Sequence, residues 1–234
     1  MTPGDDVIGF SEPQSATACR EVAKLHAAWW QEIDRLNRLP WMRITGPAYF
    51  DAYPQRWASF CTRMEDRLPE LFQTVGSRLS HNPTILRAHL EKAPVTFIHG
   101  DYRPDNLFMG GSDEPNDLAI VDWQLPSIGP GVVDVGRFLG WGAAVEKGNI
   151  DYRALVQIYH EALVGSGVQG YGLEECFRDY GAAVLRAIIQ LVNAATKFPA
   201  LASGADERSR AIVPLWINRM NAALNAVDVD EILG

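Results

Sequence analysis

The sequence predicts a mainly α protein of the α+β class, a helical body with one short sheet-like insertion. Two observations carry that expectation. Apolar residues recur at intervals of three and four along most of the chain, the period of an amphipathic helix. Between residues 95 and 123 that period gives way to three short apolar runs bounded by turn formers, Val95–Ile98, Asn106–Met109 and Leu118–Val121, the pattern of strands. The chain has 234 residues, 47% of them hydrophobic, enough to bury a sizeable core. No internal repeat, low-complexity tract or interdomain linker divides it, so residues 1–234 read as one unit.

Residues 1–11 read as loop, with Pro3, Gly4, Gly9 and paired acids. Ser11 is a helix N-cap with Pro13 in the first turn. From there to about Asn37 one long helix is expected, with Ala18, Val22, Leu25, Trp29, Ile33 and Leu36 on its apolar face. His26 lies beside that stripe and reads as a structural histidine. Residues 38–54 are broken by Pro40, Gly46-Pro47 and Pro54 and read as an ordered connector. A helix from about Gln55 to Val75 follows, which Pro69 kinks or splits, then another from Pro83 to Glu91. After the three strand-like runs, Ser127–Gly131 reads as a Pro/Gly turn. Helices are expected over Val132–Val145, Asp151–Val164, Leu173–Lys197 and Asp206–Val227. The tryptophans Trp29, Trp30, Trp57, Trp141 and Trp216 read as core.

The formal net charge is -8, which disfavours nucleic acid and anionic lipid as partners and favours a cationic small molecule. Cys19, Cys61 and Cys176 are scattered, without a Cys-x-x-Cys pair, and read as free thiols of a reducing compartment. The N-terminus has neither the basic nor the apolar region of a signal peptide. Ala182–Ala195 is too short and too polar to span a bilayer. A cytoplasmic protein without nucleic-acid or membrane partners is expected.

The chemistry concentrates in residues 99–123. In an antiparallel hairpin the first residue of one strand lies beside the last residue of its partner. Asn106 opens one strand and Asp122 closes the other, so they meet at one end, where the loop carrying Asp101 also enters. An Asn carbonyl and an Asp carboxylate are hard oxygen donors suited to Mg2+. A further carboxylate, Asp101, is suited to deprotonate a hydroxyl. Together they are the parts of metal-assisted phosphoryl transfer. Each residue also has a plainer reading, since Asp101, Asp105 and Asn106 can be turn formers and Asp122 a strand-end cap. His99 ends an apolar strand and reads as tying down the loop backbone. Asp134 reads as a helix N-terminal acid or as a support of the loop. Arg103 reads as pairing with Asp105 or as meeting a phosphate.

His99-Gly-Asp101-Tyr-Arg-Pro-Asp-Asn106 resembles the catalytic loop of the aminoglycoside phosphotransferase and choline kinase-like family, distant relatives of the protein kinases. Asp122-Trp-Gln124 takes the place of the protein-kinase Asp-Phe-Gly and lacks its Phe and Gly, which argues against a protein kinase. Gly129-Pro-Gly-Val-Val-Asp134-Val-Gly and Leu25-His-Ala-Ala-Trp29 are similar to further family segments. The resemblance implies a protein kinase-like C-terminal lobe over residues 1–234, with catalytic loop 99–106 and metal-ligand hairpin 106–123. It implies Asp101 as catalytic base, Asn106 and Asp122 as ligands of Mg2+ and through it of ATP or GTP, and His99 and Asp134 as structural support. The acceptor would be a small hydroxylated molecule over Asp101 and against the later helices. A cationic one could meet Glu146, Asp151, Glu174, Glu175 and Asp179, unless these are solvated helix faces. No Gly-x-Gly-x-x-Gly and no Val-Ala-x-Lys strand occurs ahead of His99, so the family's N-terminal lobe is expected to be absent and transfer by this chain alone weak. The alternative is a non-catalytic, pseudokinase-like binding module. The surface left without that lobe would be apolar and would favour a homo-oligomer.

Overall fold

Helix α9 (Leu173–Lys197) is the axis of the molecule. Its residues Tyr180, Val184, Ile188, Leu191 and Ala195, spaced at three and four, are all buried. Around it pack α4 (Tyr53–Met64), α6 (Pro83–Leu90), α7 (Val132–Gly142) and α8 (Tyr152–Gly165). The structure is a computed structural model that describes residues 1–44, 48–64, 67–111, 117–197 and 207–234. The predicted Gly46-Pro47 break, the tip of the hairpin loop at 112–116 and the predicted helix start at Asp206 lie outside these.

Helix α1 (Glu12–Ala28) begins as the sequence predicts, with the Ser11 N–H held by the Gln14 side chain at 2.9 Å. It ends at Ala28 rather than at Asn37. Gln31 adopts a left-handed φ of 57°, and its N–H donates to Val95 O at 2.9 Å. That bond hooks the chain onto the sheet, and only the short α2 (Ile33–Leu36) follows. The predicted Gln55–Val75 helix is split, because Pro69 immediately precedes α5 (Glu70–His81). Residues 38–54 contain a two-residue strand, β2 (Arg43–Ile44), and α3 (Ala48–Asp51).

Two small sheets position the loop. In the first, β3 (Val95–Ile98) pairs antiparallel with β6 (Ser127–Pro130), which runs parallel to β2. The turn expected at Ser127–Gly131 is thus a strand. Its turn formers sit where a strand tolerates them: Pro130 is the last residue, and a Cβ on Gly129 would lie 3.0 Å from the Ile98 side chain. In the second sheet β4 (Leu107–Met109) and β5 (Leu118–Ile120) form the expected hairpin. The N-terminus, expected to be loop, adds a strand β1 (Thr2–Pro3) to it, with Thr2 opposite Met109.

Helices α10 (Glu207–Leu224) and α11 (Val229–Leu233) close the fold. On α10 the fully buried Arg219 donates to Asp6 O at 2.6 Å, Trp141 O at 3.0 Å and Val7 O at 3.1 Å, and pairs with Glu146. A buried guanidinium is tolerated because its donors are satisfied, and here it fastens the N-terminal segment to the end of α7. All three cysteines are free; burial pushes the Cys176 thiol up to about 12. Trp57, Trp141 and Trp216 are core, while Trp29 and Trp30 are half-buried. Among the described residues no helix is long and apolar enough to cross a membrane.

Candidate active site

Strand β3 delivers His99-Gly100-Asp101 to the start of α7. There the Asp134 carboxylate accepts the His99 N–H at 2.7 Å and the Gly100 N–H at 2.9 Å. His26, from α1, closes on Asp134 at 3.3 Å and is itself held by the Tyr159 hydroxyl at 2.9 Å. Burial raises the Asp134 carboxyl, but His26 and the Gly100 N–H outweigh it and hold the group below its ordinary value. Asp134 thus holds the loop backbone from the start of α7, and His26, read from the sequence as a structural histidine beside the apolar stripe, is fully buried.

Gly100 has φ +79°, and a Cβ there would lie 2.2 Å from Leu125 O, so only glycine fits both the torsion and the space. The His99 ring spans the loop and the hairpin. Its Nδ1 accepts the Asp101 N–H at 3.3 Å, which leaves Nε2–H to donate to Val121 O at 2.9 Å. Trp123 packs edge-on against it, ring centroids 4.6 Å apart. Pro104–Asn106 forms a single 3-10 turn that ends the loop. The Asn106 Nδ2 donates to Asp101 O at 2.9 Å and to Asp101 Oδ2 at 3.1 Å. No described residue donates to the Asn106 Oδ1. The Val121 N–H donates to Asn106 O at 2.9 Å, which sets Asp122 one residue from that junction. Asp122 is exposed, has φ +63°, and its carboxylate pairs with no described residue. The structure therefore places all five residues singled out in the sequence around one loop.

Several neighbours were not anticipated. Arg137, one turn after Asp134 on α7, is buried and forms an ion pair with Asp101 while donating to Gly100 O at 3.1 Å. Its spacing of three from Asp134 is the signal that could have found it. Arg103 pairs with Asp105 at 2.8 Å as expected, but also with Asp6 at 2.5 Å and Asp101 at 3.4 Å. Arg208, on α10, pairs with Asp105 at 2.7 Å and Asp5 at 3.1 Å. Burial raises the carboxyl of Asp6, with Arg103 opposing it.

A cavity of about 460 Å3 opens beside Asp101, within the range of small-molecule sites. Its walls come from α7, α9, α10 and the loop after β5. None of the five acids considered for a cationic acceptor lines it. Glu146 pairs with Arg219, Asp151 caps α8, Glu174 pairs with Arg153, and Asp179 is buried against Tyr171 and His89; Glu175 is in the first turn of α9. In the structure they make fold contacts or lie on helix surfaces, in line with the reading of them as solvated helix faces.

Asn106 and Asp122, beside the hydrogen bond from Val121 N–H to Asn106 O, are the residues that could offer oxygens to a cation at the hairpin end. Among the described residues no group of three His, Cys, Asp or Glu could hold a metal. Two oxygen donors with the rest supplied by phosphate and water suit Mg2+ and not a closed protein cage.

A helical body, a pinned polar loop and a short hairpin define a protein kinase-like phosphotransferase fold. The family model of the phosphotransferase enzyme family, APH, matches residues 4–181, and the chain belongs to that family. Two solved structures share the fold. An aminoglycoside phosphotransferase from Alicyclobacillus acidocaldarius subsp. acidocaldarius DSM 446 matches with TM-score 0.53 and 14% identity, over 99% of this chain and 70% of that one. A choline kinase from Cryptosporidium parvum Iowa II matches with TM-score 0.52 and 10% identity, over 97% of this chain and 71% of that one. No curated protein sequence matches the chain.

Proposed function

We propose that this chain transfers the γ-phosphate of ATP or GTP to a hydroxyl of a small molecule. One observation carries the reading: a single loop, pinned by Asp134 at one end and by Asn106 at the other, sets Asp101 at a cavity mouth, next to the hairpin end that bears Asp122. Asp101 accepts the proton of the acceptor hydroxyl. Arg137, Arg103 and Asn106 fix its carboxylate, so that little reorganisation accompanies the transfer. Asn106 and Asp122 would hold Mg2+, which supplies charge neutralisation at the phosphate oxygens. His99 keeps hairpin and loop in register.

Ahead of His99 the sequence offers no Gly-x-Gly-x-x-Gly loop and no Val-Ala-x-Lys strand to hold the phosphates, which supports slow transfer by this chain alone. Three free cysteines support a cytoplasmic setting. Val121, Trp123 and Leu125, exposed on either side of Asp122, support self-association through that face, which light scattering at rising concentration tests. For the activity, the test is transfer of labelled γ-phosphate to a panel of alcohols, with calorimetry of Mg2+-dependent nucleotide binding. Transfer that Asp101→Asn abolishes supports the proposal. Nucleotide binding without any transfer would favour the non-catalytic module, and neither binding nor transfer would sink both.

A further inference from the structure

We infer that the cavity beside Asp101 receives an uncharged ring alcohol and not a polycation. The inference rests on the proposed function for the role of Asp101, and on the cavity walls for the class of acceptor. A polycation needs carboxylates that are not already neutralised. The two described carboxylates of the wall, Asp101 and Asp105, are each paired with two arginines: Asp101 with Arg137 and Arg103, Asp105 with Arg103 and Arg208. Arg103, Arg137 and Arg208 line the cavity too and are paired in turn, so among the described charged residues of the wall neither a cation nor an anion finds an unpaired partner.

What the wall does offer is apolar surface. Leu125, Ala194, Ile212, Trp141 and Trp216 line it, the two indoles lying 4.5 Å apart between ring centroids. Trp141 and Trp216 are only 2% and 5% exposed, so what they present to the cavity is edge and not a hydrogen-bonding group. A matching ligand has an apolar ring face and no charge. Its hydroxyl at the mouth meets Asp101. Simple glycosides have this chemistry.

Calorimetry on the full chain without nucleotide tests the inference with four probes: phenyl glucoside, phenyl glucuronide on the same skeleton with one negative charge, kanamycin and choline. Two variants fill the cavity from α9, Ala194→Trp and Gln190→Trp, so that a folding failure in one leaves the other. The glucoside is expected to bind wild type and to weaken at least tenfold in either variant. The glucuronide should bind more weakly, and kanamycin and choline should show no binding that the variants change. Kanamycin or choline binding that either variant weakens tenfold would overturn the inference, as would no variant-sensitive glucoside binding at millimolar concentration. Glucoside bound in the cavity but never phosphorylated with Mg2+ and ATP would sink the phosphotransfer reading and leave this one standing. A phosphorylated polycation would do the reverse.

Discussion

Arg137 and Asp101 form a nearly buried ion pair at the mouth of the cavity, with the guanidinium also bound to Gly100 O at 3.1 Å. One side chain thus fixes both the loop backbone and the carboxylate it carries. Burial pulls the Arg137 guanidinium down from its ordinary value, and Asp101 opposes that shift. Arg137→Met should lower stability by about 2–3 kcal/mol. That is below the roughly 3–5 kcal/mol of a fully buried pair, because Arg103 and Asn106 still reach Asp101. It should also lower kcat by about 10- to 100-fold, since one or two tenfold steps at ~1.4 kcal/mol each are what a misplaced base forfeits. KM for nucleotide should hold, because Arg137 contacts Asp101 and Gly100 and makes no bond to Asn106 or Asp122. Urea unfolding and steady-state kinetics check the two halves. Arg137→Lys should recover part of the stability and little of the rate, because an ammonium lacks the fork that reaches both groups.

Asp134 makes the loop sensitive to acid. Its folded value is held below the ordinary one, so the stability it contributes is present above the unfolded carboxyl value and is lost as pH falls through the folded one. Wild type should therefore lose stability progressively between about pH 5 and pH 2 through this group. Asp134→Asn should be less stable at pH 7 and show a shallower decline over that window. Urea midpoints measured across the range test this, and parallel curves for the two proteins would refute it.

The parts that local pattern determines were legible in the sequence. Val95–Ile98 and Leu173–Lys197 have the expected bounds because an apolar run and a three-four period are written in neighbouring residues. The end of α1 was not legible, since it depends on the bond from Gln31 to Val95, nor was β6, whose pairing with β3 overrides its Gly and Pro. At the site, spacing alone placed Asp101, Asn106 and Asp122 around one loop, and a five-residue offset brings Asn106 onto Asp101. The charge network around them was hidden. Asp6 reaches Arg103 across 97 residues and Arg208 reaches Asp105 across 103, and no short-range signal reports such pairs.

Gly100 is the position where the loop tolerates least change. With φ +79° and Leu125 O only 2.2 Å from where a Cβ would stand, Gly100→Ala meets both a torsional and a steric penalty. A loss of about 2–4 kcal/mol is expected from a special torsion combined with a backbone clash. Because the loop must move to relieve the clash, the Gly100 N–H bond to Asp134 should break. Amide exchange at His99 and Gly100 should then accelerate more than exchange in α9, which reports a local opening and not a global loss.

Asp122 sets stability against function. It holds a left-handed φ of 63° at an exposed position, and its carboxylate pairs with no described residue. A non-glycine residue in that region is strained by about 1–2 kcal/mol. Asp122→Gly removes the strain while adding roughly 0.5–1 kcal/mol of unfolded-chain entropy, so its stability should stay within about 1 kcal/mol of wild type. Asp122→Val, β-branched and without a polar group to stabilise the turn, should be the less stable of the two. Both should lose Mg2+-dependent nucleotide binding, because only Asn106 would remain as a protein oxygen at the hairpin end. Calorimetry with and without Mg2+, beside thermal unfolding of the same three proteins, separates the outcomes. Asp122→Gly that binds nucleotide as tightly as wild type in Mg2+ would remove Asp122 from the metal site.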